Sequence, residues 1–147
     1  TAPLLGAWEA LASARQRGVS PVPIETLGEG SGYVHYRFVG TCLDGDADGI
    51  GVRSALEALG RYPLKLQGVR DFALVLCDGQ VVGSWDRSRP PTDGLTLPRV
   101  AASLDIVVEV TARVNFGPGL AEQKGLTGRV TCGFRPQDER ELLGWES

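Results

Sequence analysis

The sequence predicts an antiparallel β-sandwich preceded by a short N-terminal helical segment, and three observations carry that expectation. The first is alternation. In GYVHYRFVG, Val34, Tyr36 and Phe38 fall on one face of a strand and Tyr33, His35, Arg37 and Val39 on the other, the pattern of a half-covered antiparallel sheet. The second is Asp78-Gly79 between two apolar runs, a hairpin signal because both central positions of the favoured turn need φ > 0. The third is a series of short β-segments with turn residues between them from Tyr62 onward, which favours a sandwich over an α/β sheet.

Taken in order, Leu4, Leu5, Trp8, Leu11 and Ala12 recur at helical spacing within Leu4–Arg17, and Gly18, Pro21 and Pro23 end the pattern. SPVPIETLGEGSG from Ser20 is rich in Pro, Gly and Ser and reads as extended. Residues 1–31 are therefore expected to be a helical and extended connector, and residues 32–147 the β-sandwich domain. Ser54–Gly60 predicts one or two helical turns, since Ala and Leu favour helix and Gly60 can end it. Beyond YPLKLQG, Phe72–Cys77 should pair with Val81–Trp85, and its six consecutive apolar residues suggest a strand covered on both faces or running through the middle of a sandwich. Pro90-Pro91 marks a loop or an edge. LDIVVEVTA and GRVTCGF complete the strands.

At 147 residues and 15.6 kDa the chain fits one domain, long enough to bury a conventional core. Fifteen basic residues, scattered singly, against 18 acidic ones give a net charge of -3, which argues against nucleic acid as a partner. No apolar run approaches the ~20 residues of a membrane helix and no signal segment opens the chain, so neither a membrane partner nor a particular compartment is indicated. Thr1 in place of Met reads as a processed chain or an excised piece. Cys42, Cys77 and Cys132 show no C-x-x-C spacing, so buried thiols are expected, with any one pairing left open.

Four segments in order, PIETLGEGSGYVHYR, LQGVRDFALVLCDGQVVGSWDR, LDIVVEVTARVNFG and QKGLTG, resemble the β-galactosidases of glycoside hydrolase family thirty-five. The resemblance rests on Tyr33 to Arg37, Arg70 to Val75, Asp78 with Gly79, Arg113 to Gly117, and Lys124 with Gly125. It implies the C-terminal, galactose-binding-like jelly roll that lies after the family's catalytic barrel, with that barrel as partner. Two departures stand out: Phe116 takes the place of the usual Tyr, and the acidic stretch from Leu43 to Asp48 looks like an insertion.

Catalysis by this chain alone is not expected. A retaining glycosidase needs two carboxylates about 5 to 5.5 Å apart, and the resemblance implies that those come from the barrel. Asp105 and Glu109 share a strand face with Arg113, but a four-residue step along a strand spans about 13 Å. The carboxylates are expected mostly on solvated faces and turns, with Glu109 as a buried partner of an arginine such as Arg70. His35, the single histidine, sits on the polar face with no G-x-S-x-G or matching Cys motif to serve, and is expected to be a surface or packing residue.

Asp44, Asp46 and Asp48 followed by Gly49 open as a calcium loop does, but position twelve is Ala55 and Glu57 comes two residues late. No cofactor is expected, and Ca²⁺ at these three residues is the one candidate metal. Tyr33, Trp85, Phe116 and Trp145 are candidate sugar-stacking rings, and Asn115 beside them offers an amide. Trp85, Arg113, Asn115 and Phe116 form the candidate surface, taken either as a contact with the parent barrel or as a site for a galactoside. The functional expectations are an accessory domain that supports the barrel, an autonomous carbohydrate-binding module and, third, a calcium-stabilised adhesion module.

Overall fold

Gly32–Leu43 forms β2, a strand whose alternating residues Val34, Tyr36 and Phe38 are each less than 5% exposed, while Tyr33 and Val39 lie open on its other face. The computed structural model to which this strand belongs describes residues 16–43, 52–97, 102–110 and 117–147. β2 pairs antiparallel with β7, Leu104–Val110, and with β10, Arg140–Glu146. Outward from β7 come β5, Phe72–Cys77, and β6, Gln80–Asp86; outward from β10 come β9, Val130–Cys132, and β3, Leu64–Leu66. The order β3-β9-β10-β2-β7-β5-β6 makes an all-antiparallel sheet of eight strands once β1, Arg17–Gly18, is added beside β10. A small second sheet joins β4, Val69–Arg70, to β8, Gly125–Leu126.

The large sheet curls until its two outer strands nearly meet. Leu95 exchanges both backbone hydrogen bonds with Leu64 of β3 at 2.8 Å, and its side chain fills the space that a Cβ on Gly83 of β6 would enter. The enclosed face carries the core: Val34, Tyr36 and Phe38 from β2, Ile106 and Val108 from β7, and Trp145 from β10. The result is the antiparallel sandwich expected from the alternation, closed almost into a barrel.

The expected hairpin is present, with Asp78 at φ 51° and Gly79 at φ 77° and pairs running from Phe72↔Asp86 to Cys77↔Gln80. β5 is a central strand, flanked by β7 and β6 on its two edges, but it is not fully covered on both faces: Ala73, Val75 and Cys77 are buried on one, while Phe72 and Leu74 on the other are half-buried. The helical turns form as α1, Val52–Leu59, which buries Ala55, Leu56 and Leu59 and ends where Gly60 N donates to Leu56 O.

The N-terminal segment departs from expectation. Residues 1–15 lie outside the described residues, and at the end of the expected helix Arg17–Gly18 is strand, paired with Glu146 and Trp145 of β10. The edge of β10 there offers partners to the backbone N–H and C=O groups of Arg17 and Gly18. The segment expected to be only extended also carries a 3-10 turn, Ile24–Leu27, whose Ile24 is 2% exposed in the core.

Cys77 and Cys132 are 4% and 0% exposed, and burial together with nearby Asp78 and Asp105 pushes the Cys77 thiol up to about 11. A neutral, covered thiol is a poor nucleophile. In a Cys42→Ser variant, native labelling of both cysteines by a disulfide reagent should run at least about a hundredfold below the rate in the urea-unfolded chain, limited by local opening. Rapid native labelling would contradict the strand assignments.

Candidate functional site: an ion network at one rim

The segments that carry the family resemblance lie far apart in sequence, yet several converge at one rim of the sandwich. Tyr36 of β2 is fully buried, and its hydroxyl donates to Val22 O at 2.7 Å while accepting from Leu126 N at 3.1 Å. Burial pushes this phenol far above its ordinary value, so it stays protonated and the donated bond persists. Gly125, beside Leu126, has φ +94° and approaches so closely that a Cβ would lie 2.5 Å from the Tyr36 hydroxyl. Only glycine fits both the backbone angle and the space.

Lys124 precedes that glycine and is 3% exposed. Its ammonium lies 2.8 Å from Asp71 Oδ2 and 3.1 Å from Glu122 Oε2. Arg87, just past β6, closes the cluster from outside, 2.9 Å from Asp71 Oδ1 and 2.7 Å from Glu122 Oε1, and Arg70 reaches Glu122 at 3.4 Å. Lys124 N also donates to the Glu25 carboxylate at 3.2 Å, and Ile24 N donates to Lys124 O, tying in the 3-10 turn. Three cations thus clamp two carboxylates where β4, β5, β6 and β8 meet.

Burial alone would raise the Asp71 carboxyl, but hydrogen bonds from Lys124 and Arg87 outweigh it and hold the group below its ordinary value. Arg87 and Lys124 likewise lower Glu122, and Glu122 with Asp71 raises the Arg87 guanidinium in return. Both carboxylates are therefore ionised at neutral pH. A general acid needs the opposite tuning, so neither carboxylate is tuned as a general acid.

A second cluster lies on the other face of β2 and β7. Asp105 is fully buried; His35 Nε2 lies 2.7 Å from its Oδ1 and Arg37 Nε donates to the same oxygen at 2.8 Å. Burial would raise this carboxyl too, but the bonds from His35 and Arg37 prevail and lower it. Asp105 with Arg37 is thus a buried acid–arginine pair; Glu109, expected as the buried partner of an arginine such as Arg70, is half-buried, and Arg70 lies 3.4 Å from Glu122. The register decides this, because Asp105 sits opposite Arg37.

Of the candidate surface residues, Trp85 is described: it lies on the inner face of β6, 8% exposed, at a cleft of about 420 Å³. Arg113, Asn115 and Phe116 lie outside the described residues, as do Asp44, Asp46 and Asp48. Among the described residues no group of three or more His, Cys, Asp or Glu side chains is placed to hold a metal, and no helix is long and apolar enough to cross a membrane. Trp145, expected as a candidate stacking ring, is instead core: it is 1% exposed, its ring centroid is 5.4 Å from that of Phe38, and its indole donates to Leu142 O. Tyr33 is exposed as a stacking ring must be. The network residues Asp71, Arg87, Glu122 and Lys124 escaped sequence reasoning as a group. The available signals were the Arg-Asp pair ahead of β5 and the Lys-Gly pair ahead of Leu126.

Fold and rim together define an all-β domain whose ion network fastens the chain just after a long excursion between β7 and β8. The family model for the first all-beta domain of β-galactosidase matches residues 21–146, and the chain belongs to that family. A β-galactosidase of Xanthomonas manihotis is 31% identical over 130 residues, covering 87% of this chain and 18% of the relative. Those of Macaca fascicularis and Felis catus are 37% and 41% identical over 78 and 68 residues, covering 53% and 46% of this chain. The chain spans less than a fifth of the length of these relatives, at 18%, 11% and 10%.

Proposed function

We infer that the chain is the non-catalytic accessory β-sandwich of a family thirty-five β-galactosidase, a galactose-binding-like jelly roll that follows the catalytic barrel, supports it and shapes the entrance to its sugar site. The observation that carries this reading is the clamp on Glu122 and Lys124 at the end of the excursion from residue 111. That excursion holds Arg113 to Gly117, the loop of the resemblance. Three cations on two carboxylates are more than a surface turn needs, and they suit a loop that must hold its place against a partner. The carboxylates at this rim are committed to cations, which supports a structural rather than hydrolytic role.

Two measurements test the reading. The 147-residue chain should show no turnover of a chromogenic β-galactoside, whereas turnover that survives repurification and vanishes on mutating one of its carboxylates would overturn the proposal. In the longer protein, Lys124→Met should raise KM for a galactoside more than it lowers kcat, because a displaced entrance loop weakens substrate binding while leaving barrel chemistry in place.

A further inference from the structure

The end of the sandwich away from the clamp carries a surface of different chemistry. β2 starts at Gly32, opposite Val110 and close to the clamp, and its twelve residues end at Leu43, opposite Glu141. The two ends therefore lie roughly 35 Å apart along the strand. At the Leu43 end Phe134, in the turn from β9 to β10, is 67% exposed. Its ring meets Tyr62 edge-on, with 5.6 Å between centroids and 71° between planes, and Arg140 Cζ lies 5.6 Å from the Tyr62 centroid, close enough for a cation–π attraction. Gly133 N donates to Pro63 O at 3.1 Å, which ties together the two loops that carry the rings. Exposed Arg61 and Arg135 adjoin Tyr62 and Phe134 in the chain. We propose that this surface docks an acidic protein segment, which lays an apolar side chain against Phe134 and brings carboxylates to Arg61 and Arg135.

Charge complementarity selects that partner. Arg17, Arg37, Arg70, Arg87 and Arg129 are each ion-paired with a carboxylate. Among the described residues, neither Arg61 nor Arg135 has such a partner. Glu139, in the same turn as Phe134, is held by Lys65 at 2.7 Å, which leaves Asp138 as the one exposed carboxylate of that turn. Two unpaired guanidiniums beside an aromatic pair are a local exception in a chain of net charge -3, and a guanidinium matches a carboxylate in bidentate geometry. Screening acts over about 8 Å at physiological ionic strength, so a short acidic segment responds to these cations and not to the distant acids. A nucleic acid or an anionic membrane extends well beyond that range and meets the negative charge of the whole chain. The exposed ring adds apolar contact area that charge pairing lacks, and tyrosine and arginine are among the residues that dominate the energy of protein interfaces. Because the rings are already held against each other, little side-chain ordering remains to be done on docking.

The test is fluorescence anisotropy of a rhodamine-labelled Asp-Glu-Leu-Leu-Glu-Asp peptide, beside its amide counterpart Asn-Gln-Leu-Leu-Gln-Asn, titrated with the 147-residue chain. The acidic peptide should bind with a dissociation constant below about 0.3 mM and the amide peptide at least about tenfold more weakly. Added salt should weaken the acidic peptide alone. Arg61→Gln/Arg135→Gln should cost about tenfold, and Phe134→Ser about fivefold with the salt dependence kept. The substituted residues are exposed, so both variants should keep the wild-type melting temperature, and the two-peptide comparison on the wild-type chain stands even where a variant unfolds. No saturation up to about 1 mM, equal binding of the two peptides, or wild-type affinity in the double arginine variant would overturn the proposal. So would sedimentation with phosphatidylserine vesicles without peptide binding, which would assign the surface to a membrane, or a dimer of the chain dissolved by Phe134→Ser, which would assign it to a second copy. Because the readout is binding at the end opposite the clamp, its failure is distinguishable from failure of the supporting role, which is read from KM in the longer protein.

Discussion

Replacing Gly40 by alanine is expected to destabilise the chain by at least about 4 kcal/mol, in the range reserved for severe core steric damage. Gly40 of β2 faces Gly144 of β10 where the pairing slips between Leu143 and Trp145. A Cβ at Gly40 would overlap the Leu143 carbonyl oxygen and stand 2.5 Å from Gly144 Cα. All the atoms it meets are backbone, so no side chain can swing aside, and relief requires separating the two most extensively paired strands of the sheet. The Trp145 indole, packed on Phe38 just beyond the bulge, would shift with β10. Thermal unfolding should fall by about 10 °C or more. Gly30→Ala is the control, since a Cβ there meets nothing within 4 Å. Equal melting temperatures for the two variants would show that the close approach of β2 and β10 is wrongly placed.

Lys124→Met should cost about 2–3 kcal/mol at neutral pH, somewhat below the range for breaking a fully buried ion pair because the Asp71 side chain is 36% exposed. The ammonium is the buried member of the network, and methionine of similar length fills its space while leaving Asp71 and Glu122 with Arg87 and Arg70 alone. The pH dependence gives the sign. Both carboxyls are held below their ordinary values in the folded chain, so their contribution is present above the unfolded carboxyl range near pH 4 and disappears as pH falls through the lower folded values. The stability gap between wild type and variant should therefore be largest near pH 7 and shrink toward acid. Urea titrations at several pH values measure it, and a gap that widened on acidification would mean that Lys124 does not hold these carboxylates ionised.

The difference between legible and hidden features follows from the range of the interactions. The burial of Val34, Tyr36 and Phe38 was readable because strand alternation has a period of two and needs no knowledge of the partner. The placement of Trp145 was not, because a tryptophan near a chain end looks the same whether its ring faces solvent or Phe38. Asp105 was equally opaque: its neighbours in sequence are apolar, and its partners His35 and Arg37 come from a strand about seventy residues earlier, |i−j| being 70 and 68.

By itself the sequence determined the antiparallel all-β class and the strands around Val34–Phe38, Phe72–Cys77, Val81–Trp85, Leu104–Val110 and Val130–Cys132, though not β10, since the strands legible in it end at GRVTCGF; it also set the Asp78-Gly79 turn and its pairing, the helical turns ending at Gly60, and, through the order of its motifs, a resemblance to β-galactosidases. These depend on periodicity, turn chemistry and local propensity, which act within a few residues of the chain. Tertiary structure alone decided that Arg17–Gly18 joins β10 as a strand, that Lys124 becomes the buried centre of a network with Asp71, Arg87 and Glu122, and that Trp85 closes a seam opposite Lys65 and Gln67. Each of these is a meeting of residues distant in sequence, fixed by strand order and register. A buried charge is tolerated only where that register delivers its counter-charges within hydrogen-bonding distance.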